Sequence, residues 1–157
     1  MNYIIRKGKK EDLPQVLDLI KELAQYEKAP QEVTVTIQEL EEDSFGTKPI
    51  FYFFVAEFEN KILGTAIYYI KYSTWKGKCI FLEDIIVNEA YRGKQIGKKL
   101  FEGVIKAGKE MNAKRMEWQV LDWNEPALNF YKKFDAHVDG SWVNCKLNEF
   151  QIQGFPG

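Results

Sequence analysis

The chain has 157 residues, 45% of them hydrophobic and 29% charged, with a formal net charge of −1. That length suits one domain with a substantial core. A near-neutral balance without a long Lys/Arg block excludes an electrostatic nucleic-acid surface, so Lys7-Gly8-Lys9-Lys10 and Lys132-Lys133 read as solvated faces. The longest apolar run, Ile50 to Ala56, is far too short to cross a bilayer. Cys79 and Cys145 are too few and too far apart for a disulfide framework. The first residues turn charged at once, unlike a secretory signal. The expectation is a cytoplasmic, disulfide-free protein with no membrane and no nucleic-acid partner.

Tyr3 to Arg6 predicts a short strand. Leu13, Val16, Leu17, Ile20 and Leu23 recur at helical spacing, with Pro14 tolerable because it falls in the first turn. Thr36-Ile37-Gln38-Glu39 has the form of a capping box opening a second, short helix that ends near Phe45-Gly46. Ile50 to Phe58 and Ile62 to Tyr72 are rich in aromatic and β-branched residues, and Glu59-Asn60-Lys61 between them predicts an antiparallel hairpin. Lys78 to Val87 predicts a strand, Gly97 to about Met111 a helix, Arg115 to Leu121 a strand and Pro126 to Phe134 a helix. Ala136 to Phe150 predicts one or two further strands. This order gives an α/β (α+β) fold, a mixed sheet with helices on both faces. One domain spans residues 1–150, with 151–157 as a tail.

The most informative stretch runs from Leu82 to Gly97, where an apolar strand stops at Val87 and a basic, glycine-bearing loop enters a helix. A helix start leaves backbone N–H groups unpaired and carries positive potential, so it holds a pyrophosphate if small residues let the backbone approach. A second motif follows, Asn124-Glu125-Pro126-Ala127-Leu128-Asn129-Phe130-Tyr131. Together these resemble the GNAT acetyltransferases, whose Arg/Gln-x-x-Gly-x-Gly/Ala loop grips the pyrophosphate of acetyl-CoA. Gln95 stands where that family usually has glycine. The cradle survives this departure if Gln95 keeps a negative φ, since a positive φ costs a residue that bears a side chain.

Tyr68 to Lys78, Phe81-Leu82-Glu83-Asp84, Leu121 to Pro126 and Leu23 to Glu27 resemble the diamine acetyltransferase branch, which holds the spermidine/spermine and thialysine N-ε-acetyltransferases. The polyamine enzymes place an acid at the position of Ser73 and a late glutamate near Gly140. The thialysine-type relatives carry Ser-Thr-Trp-Lys-Gly, as here. Loss of two carboxylates weakens a pocket for a polycation and leaves room for an acceptor that carries its own carboxylate. Asp139 beside Gly140 keeps the polyamine alternative open. A non-catalytic acyl-CoA sensor is a further alternative, one that predicts loss of the acid or the base.

Acetyl transfer to an amine needs a neutral nitrogen, yet an alkylamine has a pKa of about 10.4. The resemblance makes Glu83 the base, directly or through a water, and Tyr131 the acid that protonates the departing thiolate. Strand alternation predicts that Glu83 and Asp84 point to opposite faces. The resemblance further assigns Ile85, Ile86 and Val87 to the pantetheine arm. It gives Arg92, Gly93, Lys94, Gln95, Ile96, Gly97 and Lys98 to the pyrophosphate, and Asn124, Glu125, Pro126, Ala127 and Tyr131 to the pantetheine end. Tyr26, Glu27, Ser73, Trp75, Glu83 and Asp84 form the substrate side, where aromatic faces beside carboxylates suit an ammonium group. Trp75 fits a subunit interface equally well. The expected partners are acetyl-CoA as cosubstrate, a small-molecule amine and, by resemblance, a second copy in a homodimer. His137 is the only histidine and nothing clusters with it, so no metal site is expected.

Overall fold

The computed structural model describes residues 1–157 and divides into two compact units, 1–119 and 120–157. The first unit holds β1 (Ile4–Lys7), α1 (Leu13–Tyr26), α2 (Ile37–Phe45), β2 (Tyr52–Phe58), β3 (Lys61–Ser73), β4 (Gly77–Val87), α3 (Ile96–Glu110) and β5 (Met116–Trp118). The strands form one five-stranded sheet in sequence order. The first four are antiparallel, and β4 and β5 are parallel through the α3 crossover.

The capping box forms as its spacing predicts. The Glu39 amide donates to Thr36 Oγ1 at 3.2 Å, and the Thr36 amide donates to Glu39 Oε2 at 2.8 Å. Between β2 and β3, Glu59 and Asn60 both take positive φ, 48° and 65°, the geometry that turns a two-residue hairpin with the twist of its strands. Alternation then separates two cores. Phe53, Val55, Ile67 and Ile86 join Leu13, Val16, Leu17, Leu19 and Leu40 of α1 and α2. Phe54 and Ile5 face Gly103 of α3 on the other side of the sheet. There Ile96, Leu100, Phe101 and Val104 are fully buried, each contributing about 1.5–3 kcal/mol. α3 packs against β3 at Gly64, where an added Cβ would lie 3.2 Å from Leu100 Cδ1.

The ladder between β3 and β4 carries one irregularity that matters for function. Tyr68 pairs with Leu82 and Ile67 with Asp84, so Glu83 is the extra residue of a β-bulge. Beyond this point the parallel ladder with β5 also ends, since its pairs run only from Ile80–Met116 to Leu82–Trp118.

The second unit holds α4 (Glu125–Lys132) and α5 (Glu149–Gln153). α4 is capped by Asn124 Oδ1, which accepts from the Ala127 amide at 3.3 Å. The strands predicted over Ala136 to Phe150 are not formed; that stretch is irregular and gives way to α5. Local side-chain bonds compete with a ladder here. The Ser141 amide and hydroxyl both donate to Asp139 Oδ1, and Asn148 and Gln151 exchange side-chain-to-amide bonds of 2.9 Å. Val138, Trp142, Val143, Leu147, Phe150, Ile152 and Phe155 are all exposed. The strand predicted over Arg115 to Leu121 is likewise shorter, confined to Met116–Trp118.

Candidate active site

The bulge places two carboxylates on one face. Before it, Ile80 and Leu82 point toward α3, the former against Gly108. After it, Asp84 sits opposite Ile67 and Ile86 lies in the α1 core, so the parity has flipped. Tyr69, two residues on from Ile67, shares that α1 face. Its ring stacks on Phe81 at 5.3 Å and its hydroxyl donates to Glu83 Oε2 at 3.1 Å. Glu83 and Asp84 therefore lie on the same side. The expectation of opposite faces is corrected, because alternation holds only in a regular ladder.

Glu83 is exposed, whereas Asp84 is half-buried. Burial first, then the neighbouring charges of Glu83 and Glu27, push the Asp84 carboxyl up to about 6. Burial also raises Glu27, next to the end of α1. Tyr69 is pushed up to about 12, by burial and then by the charge and hydrogen bond of Glu83, so it stays protonated and keeps donating. Beside this cluster Lys71 Nζ lies 5.4 Å from the Phe81 ring centroid and 2.9 Å from Glu117 Oε2. An ammonium group already rests on this aromatic wall.

Ser73 and Trp75 are placed elsewhere, at the tip of the β3–β4 hairpin. Ser73 lies four strand positions beyond Tyr69, about 13 Å along the chain. Ser73 is buried, and its Oγ accepts from the Trp75 and Lys76 amides at 3.2 and 3.1 Å, closing the turn. Trp75 is 78% exposed. Tyr26 is half-exposed, with the Arg92 guanidinium 5.7 Å from its ring.

Ile85, Ile86 and Val87 pair with Ala66, Thr65 and Gly64 on one edge only. Their other edge carries no ladder, since β5 stops level with Leu82. This leaves main-chain groups for an extended arm to pair with. Immediately beyond, Asn88 Oδ1 accepts from the Ala90 amide, and Glu22 accepts from Asn88 Nδ2 and the Glu89 amide at 3.1 and 2.9 Å. Arg92 folds back, donating from Nε to the Val87 carbonyl at 3.1 Å.

Gly93 has φ 77°, with nothing within 4 Å of where a Cβ would lie. Gln95, the residue before α3, takes φ 64° and ψ 8°, the left-handed conformation that glycine adopts freely. The condition of a negative φ is therefore not met. Gln95 reproduces the glycine backbone at a steric cost of about 1–2 kcal/mol. Its side chain makes no cap, and the first turn of α3 holds no acid. Lys94, Lys98 and Lys99 stand at this positive helix end, an arrangement that an anion would stabilise. Lys98 also lies 3.9 Å from Glu102. The donor set fits a pyrophosphate, and Ile96 and Gly97 continue its amides into the helix.

In the second unit, Asn124, Glu125, Pro126 and Ala127 form the cap and first turn of α4. Tyr131 is buried, and its ring meets Phe130 edge-on at 5.4 Å. Reading the sequence did not single out Tyr69 or Glu22 as site residues. Tyr69 was accessible as the aromatic two residues after Ile67 on the substrate-side strand, but its partner depends on a register that one strand does not reveal.

A model of the acetyltransferase (GNAT) family matches residues 13–136. The bovine thialysine N-ε-acetyltransferase is 38% identical over 141 residues, covering 85% of this chain and 83% of that protein. The human spermidine/spermine N(1)-acetyltransferase-like protein 1 is 34% identical over 97% of this chain, which spans 24% of that longer protein. Among solved structures, an integron cassette protein from V. cholerae superposes with a TM-score of 0.78 at 21% identity, covering 98% of this chain and 97% of that one. The chain belongs to the GNAT acetyltransferase family, enzymes that move an acetyl group from acetyl-CoA to an amine.

Proposed function

We propose that this enzyme acetylates the side-chain amine of thialysine or a related amino acid. The observation that carries the reading is the cluster of Glu27, Glu83 and Asp84 beside the Tyr69–Phe81 aromatic wall. Carboxylates attract an ammonium headgroup and an aromatic face accepts it. The Ser73-Thr74-Trp75 segment and the bovine relative favour an amino-acid acceptor. The three carboxylates also suit a polyamine, and the human relative supports that second reading.

Glu83 takes the proton that the attacking nitrogen loses, directly or through a water, while Tyr69 holds its carboxylate in place. As N–C bond formation expels the thiolate, Tyr131 supplies a proton to sulfur. A carboxyl near 6 has a proton affinity matched to neutral pH, which makes Asp84 the second candidate base. The open edge of Ile85 to Val87 pairs with the pantetheine arm, and Asn124 to Ala127 line its thioester end. The 92–98 segment holds the pyrophosphate. Location in the cytoplasm and a homodimer belong to the same proposal. The many large apolar side chains exposed between Val138 and Phe155 support the dimer, since burying them against a second copy would be favourable.

The test follows CoA thiol release against thialysine, lysine, ornithine, spermidine, spermine, putrescine and a short peptide with a free N-terminus. Preference for thialysine or a similar amino acid supports the first reading. Preference for spermidine supports the second.

A further inference from the structure

Around the pyrophosphate loop, Lys61 of β3 joins Lys94 and Lys99 beside two tyrosines. Lys61 opens β3 and lies across the β3–β4 pair from the end of β4, because Gly64 pairs with Val87. Its Nζ donates to Tyr91 Oη at 3.0 Å and lies 5.0 Å from the centre of that ring. Lys94 Nζ approaches the same ring at 5.6 Å. Lys99 Nζ lies 4.9 Å over Tyr3, whose hydroxyl donates to the Lys94 carbonyl at 2.9 Å. Two ammonium groups thus converge on one phenol ring, next to the positive end of α3.

No carboxylate pairs with this group. None of the ion pairs described involves Lys61, Lys94 or Lys99. Glu22 is engaged with the Glu89 amide, Asn88 and Arg92, and Glu89 is exposed. Like charges held together repel, and the helix dipole adds to the cost, unless an anion lies between them. Tyr91 and Tyr3 hold the ammonium groups near their rings, so the charges are presented rather than dispersed.

Coenzyme A carries three phosphate groups. Two form the pyrophosphate, and the third is the ribose 3′-phosphate. We infer that Lys61 and Lys94, held over Tyr91, bind the 3′-phosphate of coenzyme A and so select it over the dephospho form. This rests on the reading that the 92–98 segment takes the pyrophosphate. The pyrophosphate uses backbone amides, which cannot distinguish the two nucleotides. The lysine pair supplies the difference through charge-assisted hydrogen bonds to a dianionic group.

The experiment measures calorimetric affinities of CoA and 3′-dephospho-CoA for the full chain, for Lys61→Ala, for Lys61→Ala/Lys94→Ala and for Lys61→Arg. One lost charge-assisted bond corresponds to about tenfold or more, so wild type should favour CoA by at least that ratio. Lys61→Ala should lose most of the preference with affinity for dephospho-CoA unchanged, the double variant should bind both nucleotides alike, and Lys61→Arg keeps the preference. Thermal melting shows whether each variant remains folded. Equal binding of the two nucleotides by wild type overturns the inference alone. So does an equal loss for both nucleotides in Lys61→Ala, which would place that lysine on the pyrophosphate. Failure of wild type to bind either nucleotide overturns the pyrophosphate reading as well.

Discussion

The Tyr69 hydroxyl donates to Glu83 Oε2 at 3.1 Å, joining a regular position of β3 to the bulged residue of β4. Glu83 is exposed and would otherwise sample many rotamers. The phenol stacked on Phe81 gives it one orientation. Replacing Tyr69 with Phe keeps the stack and removes the donor. Turnover should fall by about tenfold while the melting temperature changes little, the loss expected of one hydrogen bond to a charged group. Steady-state kinetics beside thermal melting would check it, and unchanged kcat would remove Tyr69 from the site.

The Asp84 carboxyl is raised from 3.8 to about 6, chiefly by burial. Between those values the folded state binds the extra proton, so this group's contribution to stability falls as pH rises from about 4 to 6. Asp84→Asn should flatten that segment of the melting temperature profile. If Asp84 is also the base, wild-type kcat/KM climbs through pH 6 and the variant loses both this limb and most activity. If the limb persists in Asp84→Asn and vanishes in Glu83→Gln, Glu83 is the base.

Tyr131→Phe tests the other end of the reaction. If Tyr131 is the acid toward sulfur, turnover depends on its hydroxyl far more than coenzyme binding does. The expected result is a fall in kcat of roughly 10²–10⁴-fold with acetyl-CoA affinity nearly intact. Unaltered kcat would leave Tyr131 as a packing residue of α4.

Asp12 shows the opposite electrostatics from Asp84. Burial pushes its carboxyl up, but the Arg6 guanidinium, bonded through both nitrogens, and the Lys9 amide outweigh this and leave it below its ordinary value. Its stabilisation is present above the unfolded carboxyl range, about pH 4, and is lost as pH falls through the lowered value. Asp12→Ala also strips the largely buried Arg6 of its two-pronged partner, leaving it Glu57 and the Lys7 carbonyl. Urea unfolding at pH 7 should show a loss of about 2–4 kcal/mol, shrinking at low pH.

Gln95→Gly separates strain from function in the loop. Glycine accepts φ 64° without steric cost, though it loosens the unfolded chain, so a net gain of up to about 1 kcal/mol is expected. Acetyl-CoA affinity should hold or improve. A large loss of affinity would mean that the Gln95 side chain itself touches the coenzyme.

What the sequence reveals depends on how far each signal reaches. α1 and α3 are legible from the periodicity of Leu13 to Leu23 and Leu100 to Ile105, and α2 from a capping box closed within four residues. The bulge is not legible, because register belongs to two strands and periodicity reads one at a time. The same holds for Tyr69 and Glu83, fourteen positions apart. The residues from Val143 to Leu147 alternate as a strand does, yet alternation specifies a face and supplies no neighbour to pair with. The left-handed conformation of Gln95 was hidden for another reason: its residue type argues against the backbone that the loop imposes.

The sheet does not need Glu83. Leu82 already faces one side and Asp84 the other, so excising the residue between them would leave a continuous ladder with every core side chain still facing inward. The position is an insertion in the architectural sense, a place where the backbone steps out of line without consequence for its neighbours. Substitution there is released from the demands of packing, and its occupant is free to be chosen for reactivity. Shortening the chain by this one residue should therefore give a protein that folds and melts normally but has lost its chemistry.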